Sequence, residues 1–256
     1  MKKNIFLGTA AFAALCTLAI SCVKDPVQAE AALPQGNVVW DLHESFDSVG
    51  KLTSKGWVIK NLSEPMGSTG WRQGRYESAQ GMQYKFNGPV PYIGFPAFRA
   101  NTAPTDFISV DVSAVNGTGN LSAWLISPQI PMKNGDTLIF YTRTADDANY
   151  PDYTRDRLQV LANFTDGTAN VGSSSTSTGS FTTVLADINQ NYIENFNGGY
   201  PEVWARARIV INNIPNGVTS TGRFAFRYVG NDAGLQGPNF ASIIGIDELT
   251  YKHKGE

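Results

Sequence analysis

The sequence predicts an all-β fold, a β-sandwich of the jelly-roll type built from mostly antiparallel strands, on three observations. Short runs rich in β-branched and aromatic residues recur along the chain. They are punctuated by 25 glycines and 13 prolines. No apolar pattern of helical period persists for three turns, and only 16% of residues are charged, too few for long solvated helices. A hydrophobic content of 42% suffices for a core, and 256 residues fit one large sandwich.

The reading centres on Ser122-Ala123-Trp124-Leu125-Ile126-Ser127-Pro128 and, after the Lys133-Asn134-Gly135 turn, Asp136 through Arg143. These read as two neighbouring strands, the first complete over 124–127, because Pro128 and Pro131 cannot donate to an interior ladder. Upstream, Val38-Val39-Trp40 and Leu42 open a strand region leading to Glu44-Ser45-Phe46-Asp47, and Gly56-Trp57-Val58-Ile59 follows. Residues 61–101 alternate little but carry many aromatics and glycines, as expected of a long loop system with short strands. Downstream, 157–161 is a strand ending at the Asp166-Gly167 turn, 172–180 (GSSSTSTGS) reads as a flexible surface loop, 181–188 as strand and 189–200 as turn-rich. The runs 206–211, 223–229 and 242–251 close the domain, with Phe224, Phe226 and Tyr228 on one face.

The first segment is an address. Lys2 and Lys3 precede an apolar run from Ile5 to Ile20, then Ser21-Cys22, the layout of a secretory signal over 1–21. The run is short of the ~20 apolar residues a spanning helix needs. Leu18-Ala19-Ile20-Ser21-Cys22 resembles a bacterial lipobox, which makes Cys22 the acylated N-terminus, whereas Cys16 follows the larger Leu15. Several acyl chains anchor a protein stably where one does not. Residues 22–36 then serve as lipidated cysteine and tether, 37–252 as the sandwich and 253–256 as a tail. The expected location is the outer membrane or cell surface of a Gram-negative bacterium. Cleavage takes the formal charge from -2 to -4, since no acid leaves with the two lysines. That balance gives no attraction to phosphate backbones and excludes nucleic acid as a partner.

Little in the sequence points to catalysis. There are two histidines, His43 and His253, and no G-x-S-x-G elbow, H-E-x-x-H, EF-hand loop or P-loop. No strand shows paired carboxylates at same-face spacing with flanking aromatics, the arrangement of a sandwich glycosidase. Flat aromatics beside planar hydrogen-bonding groups suit sugars. Trp71-Arg72-Gln73 and Tyr150-Pro151-Asp152-Tyr153 offer that mixture, making Trp71, Arg72, Gln73, Tyr150, Asp152 and Tyr153 candidate ligand contacts. The alternative puts Trp71 in the core and the tyrosines on an ordinary rim. First and last strands of a jelly roll often adjoin, so Asp47 and Asp247, with Glu44, are candidate oxygen ligands for structural calcium. The competing reading has Asp47 capping a turn and Asp247 facing solvent.

Ser45-Phe46-Asp47, Gly56-Trp57, Trp71-Arg72-Gln73-Gly74, the Trp124-to-Pro128 block with Asp136 to Phe140, Phe224-Ala225-Phe226-Arg227 and Ile246-Asp247-Glu248-Leu249 together resemble the choice-of-anchor J family, itself similar to the cleaved-adhesin modules of gingipain-type surface proteins. The resemblance runs from about Phe46 to Tyr251. It implies a jelly-roll sandwich of the galactose-binding or MAM-like kind on secreted or anchored proteins, often with structural calcium and without known activity. Two departures stand out: Ser122-Ala123 where the family often has acids before its Trp, and Phe46-Asp47 where it often has Phe-Glu. The expected function is a surface-anchored, non-catalytic adhesin-like or carbohydrate-binding module, with a glycan or a host or cell-surface protein as partner. The rivals are a glycan lyase or hydrolase on the same scaffold and a structural subunit of an outer-membrane assembly.

Overall fold

A computed structural model describes residues 42–78, 92–145, 154–234 and 237–255. Short 3-10 turns occur among the described residues, but no α-helix. In chain order the first strands are β1 (Leu42–Glu44), β2 (Val58–Asn61), β3 (Glu64–Met66), β4 (Arg72–Gln73), β5 (Tyr76–Ser78) and β6 (Tyr92–Gly94). Then come β7 (Ile108–Asp111), β8 (Val115–Ile126), β9 (Ile130–Lys133), β10 (Thr137–Thr144) and β11 (Leu158–Asn163). The last are β12 (Thr183–Ile188), β13 (Ala205–Val210), β14 (Val218–Gly230) and β15 (Ile243–Lys252).

They form two antiparallel sheets in a sandwich. One has the order β13-β10-β15-β7-β4 with β1 also on β15; the other has β12-β11-β14-β8-β2, with β3 on β8 and β9 on β14. β5 and β6 pair separately. First and last strands do adjoin, with Leu42 opposite Tyr251 and Glu44 opposite Leu249. The alternation of β14 and β15 explains the core between the sheets: Phe224, Phe226, Tyr228, Ile244, Ile246, Leu249 and Tyr251 are all fully buried. Phe140 of β10 meets Phe226 edge to face at 4.8 Å, locking one sheet to the other.

Several expectations need correction. β8 and β10 are not ladder neighbours but lie in opposite sheets, because β9 still pairs with β14 of the second sheet and the chain crosses only at the turn that follows it. β8 is also far longer than 124–127; its first half, of turn-like composition, is held in strand form by pairing with β3 (Glu64 opposite Asn120, Met66 opposite Val115). It does end before Pro128. Pro131 lies inside β9, where no register partner falls on it and pairing is one-sided. The stretch 172–180 is packed down: Val171 and Phe181 are fully buried against Trp124, Ile126, Leu161 and Ala225 on the outer face of the second sheet. Lys60 Nζ donates to Ala169 O (2.7 Å), Arg223 Nε to Gly167 O (2.7 Å), and Arg227 Nη2 to Ser175 O. Finally, His253 is docked: its Nδ1 lies 2.8 Å from Asp136 Oδ2, and Lys254 N donates to Asp136 Oδ1 (2.9 Å).

Candidate functional site

At one end of the sandwich the segments 154–156, 189–204 and 238–242 converge on a single buried carboxylate. Asp156 is fully buried. Its Oδ1 accepts from Tyr228 Oη and from Ser242 N (2.9 Å). Its Oδ2 accepts from Thr144 Oγ1 (2.7 Å), Asn195 Nδ2 (2.7 Å) and Ser242 Oγ (2.5 Å). A buried carboxyl group bonded to this many donors is a clamp, since removing it strands all of them. The same Asp156 pushes the Tyr228 hydroxyl up after burial, which has the larger effect.

The clamp holds the connection from β12 to β13. Asn189 Nδ2 donates to Asp156 O and to Ile193 O (both 2.8 Å), while its Oδ1 accepts from Ile193 N (2.8 Å). Asn195, 2% exposed, accepts from Asp156 N (3.1 Å) and donates to Thr154 Oγ1 (3.0 Å). Asn195–Asn197 forms one 3-10 turn closed by Gly198 at φ +85°, a left-handed conformation natural to glycine. Gly199 packs so closely that a Cβ there would lie 2.1 Å from Ile193 O. Tyr200 is buried, its hydroxyl 2.6 Å from Thr142 Oγ1.

This scaffold displays three large apolar side chains among exposed polar ones, Gln190, Asn191 and Asn197. Phe196 is 67% exposed, Val203 67% and Ile193 47%, although the backbone around them is fixed. Glu194 stands beside Phe196, its Oε1 accepting from Arg155 Nη2 (2.5 Å) and its Oε2 from Asn197 Nδ2 (2.8 Å). Behind it Arg157 forks onto Asp187 (2.8 and 2.7 Å) and lies 5.0 Å over the Tyr192 ring. That Asp187 pair, the largest influence, raises the guanidinium's pKa. On the near flank Trp204 packs edge-on against Phe95 (5.5 Å) and Phe107 (5.6 Å), and its Nε1 donates to Pro96 O (2.9 Å).

The expected ligand contacts lie elsewhere or outside the described residues. Trp71 is 4% exposed and its Nε1 donates to Ala123 O (3.1 Å), so it has no free face for a sugar. Gln73 accepts from Val49 N (3.0 Å) and donates to Thr105 O (2.7 Å), stitching loops together. Arg72 pairs with Asp111. These three residues belong to the frame. Tyr150, Asp152 and Tyr153 fall outside the described residues, as does Cys22. Phe196 escaped the sequence reading because a lone aromatic in a turn carries no periodicity. The Asn197-Gly198-Gly199 signal located the turn but not what it exposes.

The metal candidates divide. Glu44, 3% exposed, is committed to Lys55 Nζ (2.9 Å) and to Phe46 N (3.2 Å). Asp247 does not face solvent. A bulge, in which Thr250 opposes Ile139 while Asp247 opposes Tyr141, puts Glu248 at φ +46° and leaves Asp247 fully buried. Its Oδ2 accepts from Phe98 N (2.9 Å) and Arg99 N (3.2 Å) and its Oδ1 from Glu248 N (2.8 Å). Burial foremost, aided by the Glu248 charge, outweighs these bonds and pushes the Asp247 carboxyl up to about 8. Asp47 sits under the same segment: Asn101 Nδ2 donates to its Oδ2 (2.6 Å), while its Oδ1 is buried without a hydrogen-bond partner. Among the described residues no group of three or more His, Cys, Asp or Glu side chains is set to hold a metal ion.

No protein-family profile matches the chain, and no curated protein does. Among solved structures, the K1 cleaved adhesin domain of Lys-gingipain from Porphyromonas gingivalis W83 is similar at 18% identity, covering 84% of this chain and 98% of that one, with a TM-score of 0.44. The module TmCBM61, solved with β-1,4-galactotriose, shares 8% identity over 82% of this chain and 100% of its own, with a TM-score of 0.34. The enzymatically active domain of tailspike protein 4 from bacteriophage CBA120 shares 9% identity over 81% of this chain and 21% of that one, with a TM-score of 0.33.

Proposed function

We propose that the chain is a non-catalytic binding module, tethered to a membrane surface through lipid on Cys22, that takes a glycan at the loop end of the sandwich. The carrying observation is the contrast at that end between a saturated clamp and a displayed turn. Asp156 is closed off by its donors and sits too deep to exchange protons with a substrate. Phe196 is held out on rigid backbone, as a recognition contact requires when ordering has been completed before binding. The intact protein incubated with a panel of neutral oligosaccharides is expected to retain some of them and return them at their original length. Shortened or unsaturated products would establish the rival, a hydrolase or lyase.

Calcium is a second element of the proposal. Asp247 is a buried carboxyl, and Asp47, itself half-buried, has an Oδ1 that is covered without a hydrogen-bond partner, so the two carboxyls suit a hard cation. A bound ion would supply the missing charge and pin the 98–101 segment to β15. With Glu44 held by Lys55, the remaining oxygens would come from backbone carbonyls or water. Calcium is expected to raise the melting temperature of the wild type and not of Asp247→Asn. Equal melting of the wild type in calcium and in EDTA would remove this element.

A further inference from the structure

We propose that the turn bearing Phe196 is the saccharide subsite, and that the saccharide it takes is uncharged. This rests on the glycan reading above and goes beyond it in assigning the contact residues and the class of sugar. Phe196 offers a ring 67% exposed, broad enough for the C–H face of one pyranose, and Ile193, three residues earlier in the same connection, is 47% exposed. In the same turn, the Glu194 carboxylate keeps lone pairs beyond those taken by Arg155 and Asn197. The Asn197 carboxamide keeps a second N–H beyond its bond to Glu194. A stacking face flanked by an acceptor and a donor is what adjacent ring hydroxyls require.

The charge argument sets the class. Arg155 is matched by Glu194 at 2.5 Å and Arg157 by Asp187 at 2.7 Å, so the turn's two supporting guanidinium groups are already balanced by carboxylates. With both guanidinium groups already engaged by carboxylates, neither is left over to pair with a sulfate or uronate. Size argues against a macromolecular partner as the primary occupant. A stable protein interface buries about 800 Å² on each side, whereas the large apolar side chains exposed on the 189–204 connection are three, Ile193, Phe196 and Val203.

The test is calorimetric titration of the intact protein with neutral hexose trisaccharides and with sulfated and uronate counterparts, at low and high salt. Wild type is expected to bind at least one neutral sugar with an affinity that salt does not change. Phe196→Ala is expected to weaken it about tenfold, at an unchanged melting temperature because the side chain is exposed, and Phe196→Trp to retain it. Wild-type affinity in Phe196→Ala, or a preference for charged sugars lost at high salt, would overturn this assignment while leaving a glycan module elsewhere on the fold intact. No binding of any sugar by the wild type would overturn the glycan reading itself.

Discussion

Single residues here reverse roles that their neighbours in the sequence imply. Trp71, among polar residues that suit a sugar, spends its indole N–H on Ala123 O inside the core, while Phe196, among asparagines and glycines, is the exposed ring. Arg227 is 6% exposed and held by neutral acceptors, Ser122 Oγ (3.0 Å) and Gln159 Oε1 (3.1 Å) among them, with Trp124 5.1 Å beneath it. Burial brings its pKa down to about 10, so it stays charged at neutral pH. Asp136 gives a pH prediction. Burial pushes its carboxyl up, but bonds from Lys254 N, Lys133 N, Tyr251 Oη and His253 outweigh this and leave it below the ordinary carboxylate value. Its contribution is therefore present above the unfolded value of ~3.9 and is lost as pH falls through the lower folded one. Asp136→Asn is expected to melt below the wild type at neutral pH, with the difference shrinking as melts are taken into the acid range. A difference independent of pH would show that the carboxylate charge does not matter.

At the scale of elements, Asp156 joins β10, β14, the 189–204 connection and the entry to β15 through one side chain. Asp156→Asn replaces an acceptor by a donor facing donors and is expected to cost about 3 kcal/mol. It is also expected to speed amide exchange in 192–204 more than in β14, which hydrogen exchange with mass spectrometry reads directly. Uniform protection across both would show that the loop does not depend on the clamp. The elements that were legible in the sequence are those whose own alternation meets a buried face, such as β14 and β15. The first half of β8 was not, because Asn116 to Asn120 has turn composition and becomes strand only through β3. The 172–180 stretch misleads in the same way: its serines and threonines are polar and for the most part open or half-open to solvent, but Val171 and Phe181 on either side anchor it against Trp124. Phe196 shows the limit for the candidate site, since exposure is decided by tertiary packing and no local pattern encodes it.

For the whole molecule, both sheets have part of their outer faces covered by their own chain, the second by 165–182 and the first by the Phe95, Phe107 and Trp204 cluster. Among the described residues the loop end is one place where a held backbone and exposed apolar side chains coincide, Met66 on β3 and Val218 on β14 being others. The arrangement fits the proposed module, one that holds a glycan rather than transforming it. Amide chemical-shift mapping of the intact protein during titration with a neutral hexose trisaccharide tests it most directly. The expected result is that perturbations gather on residues 192–204 and 154–157 and that the sugar is recovered whole. Perturbations confined to the outer strands of either sheet, or a shortened sugar, would contradict it.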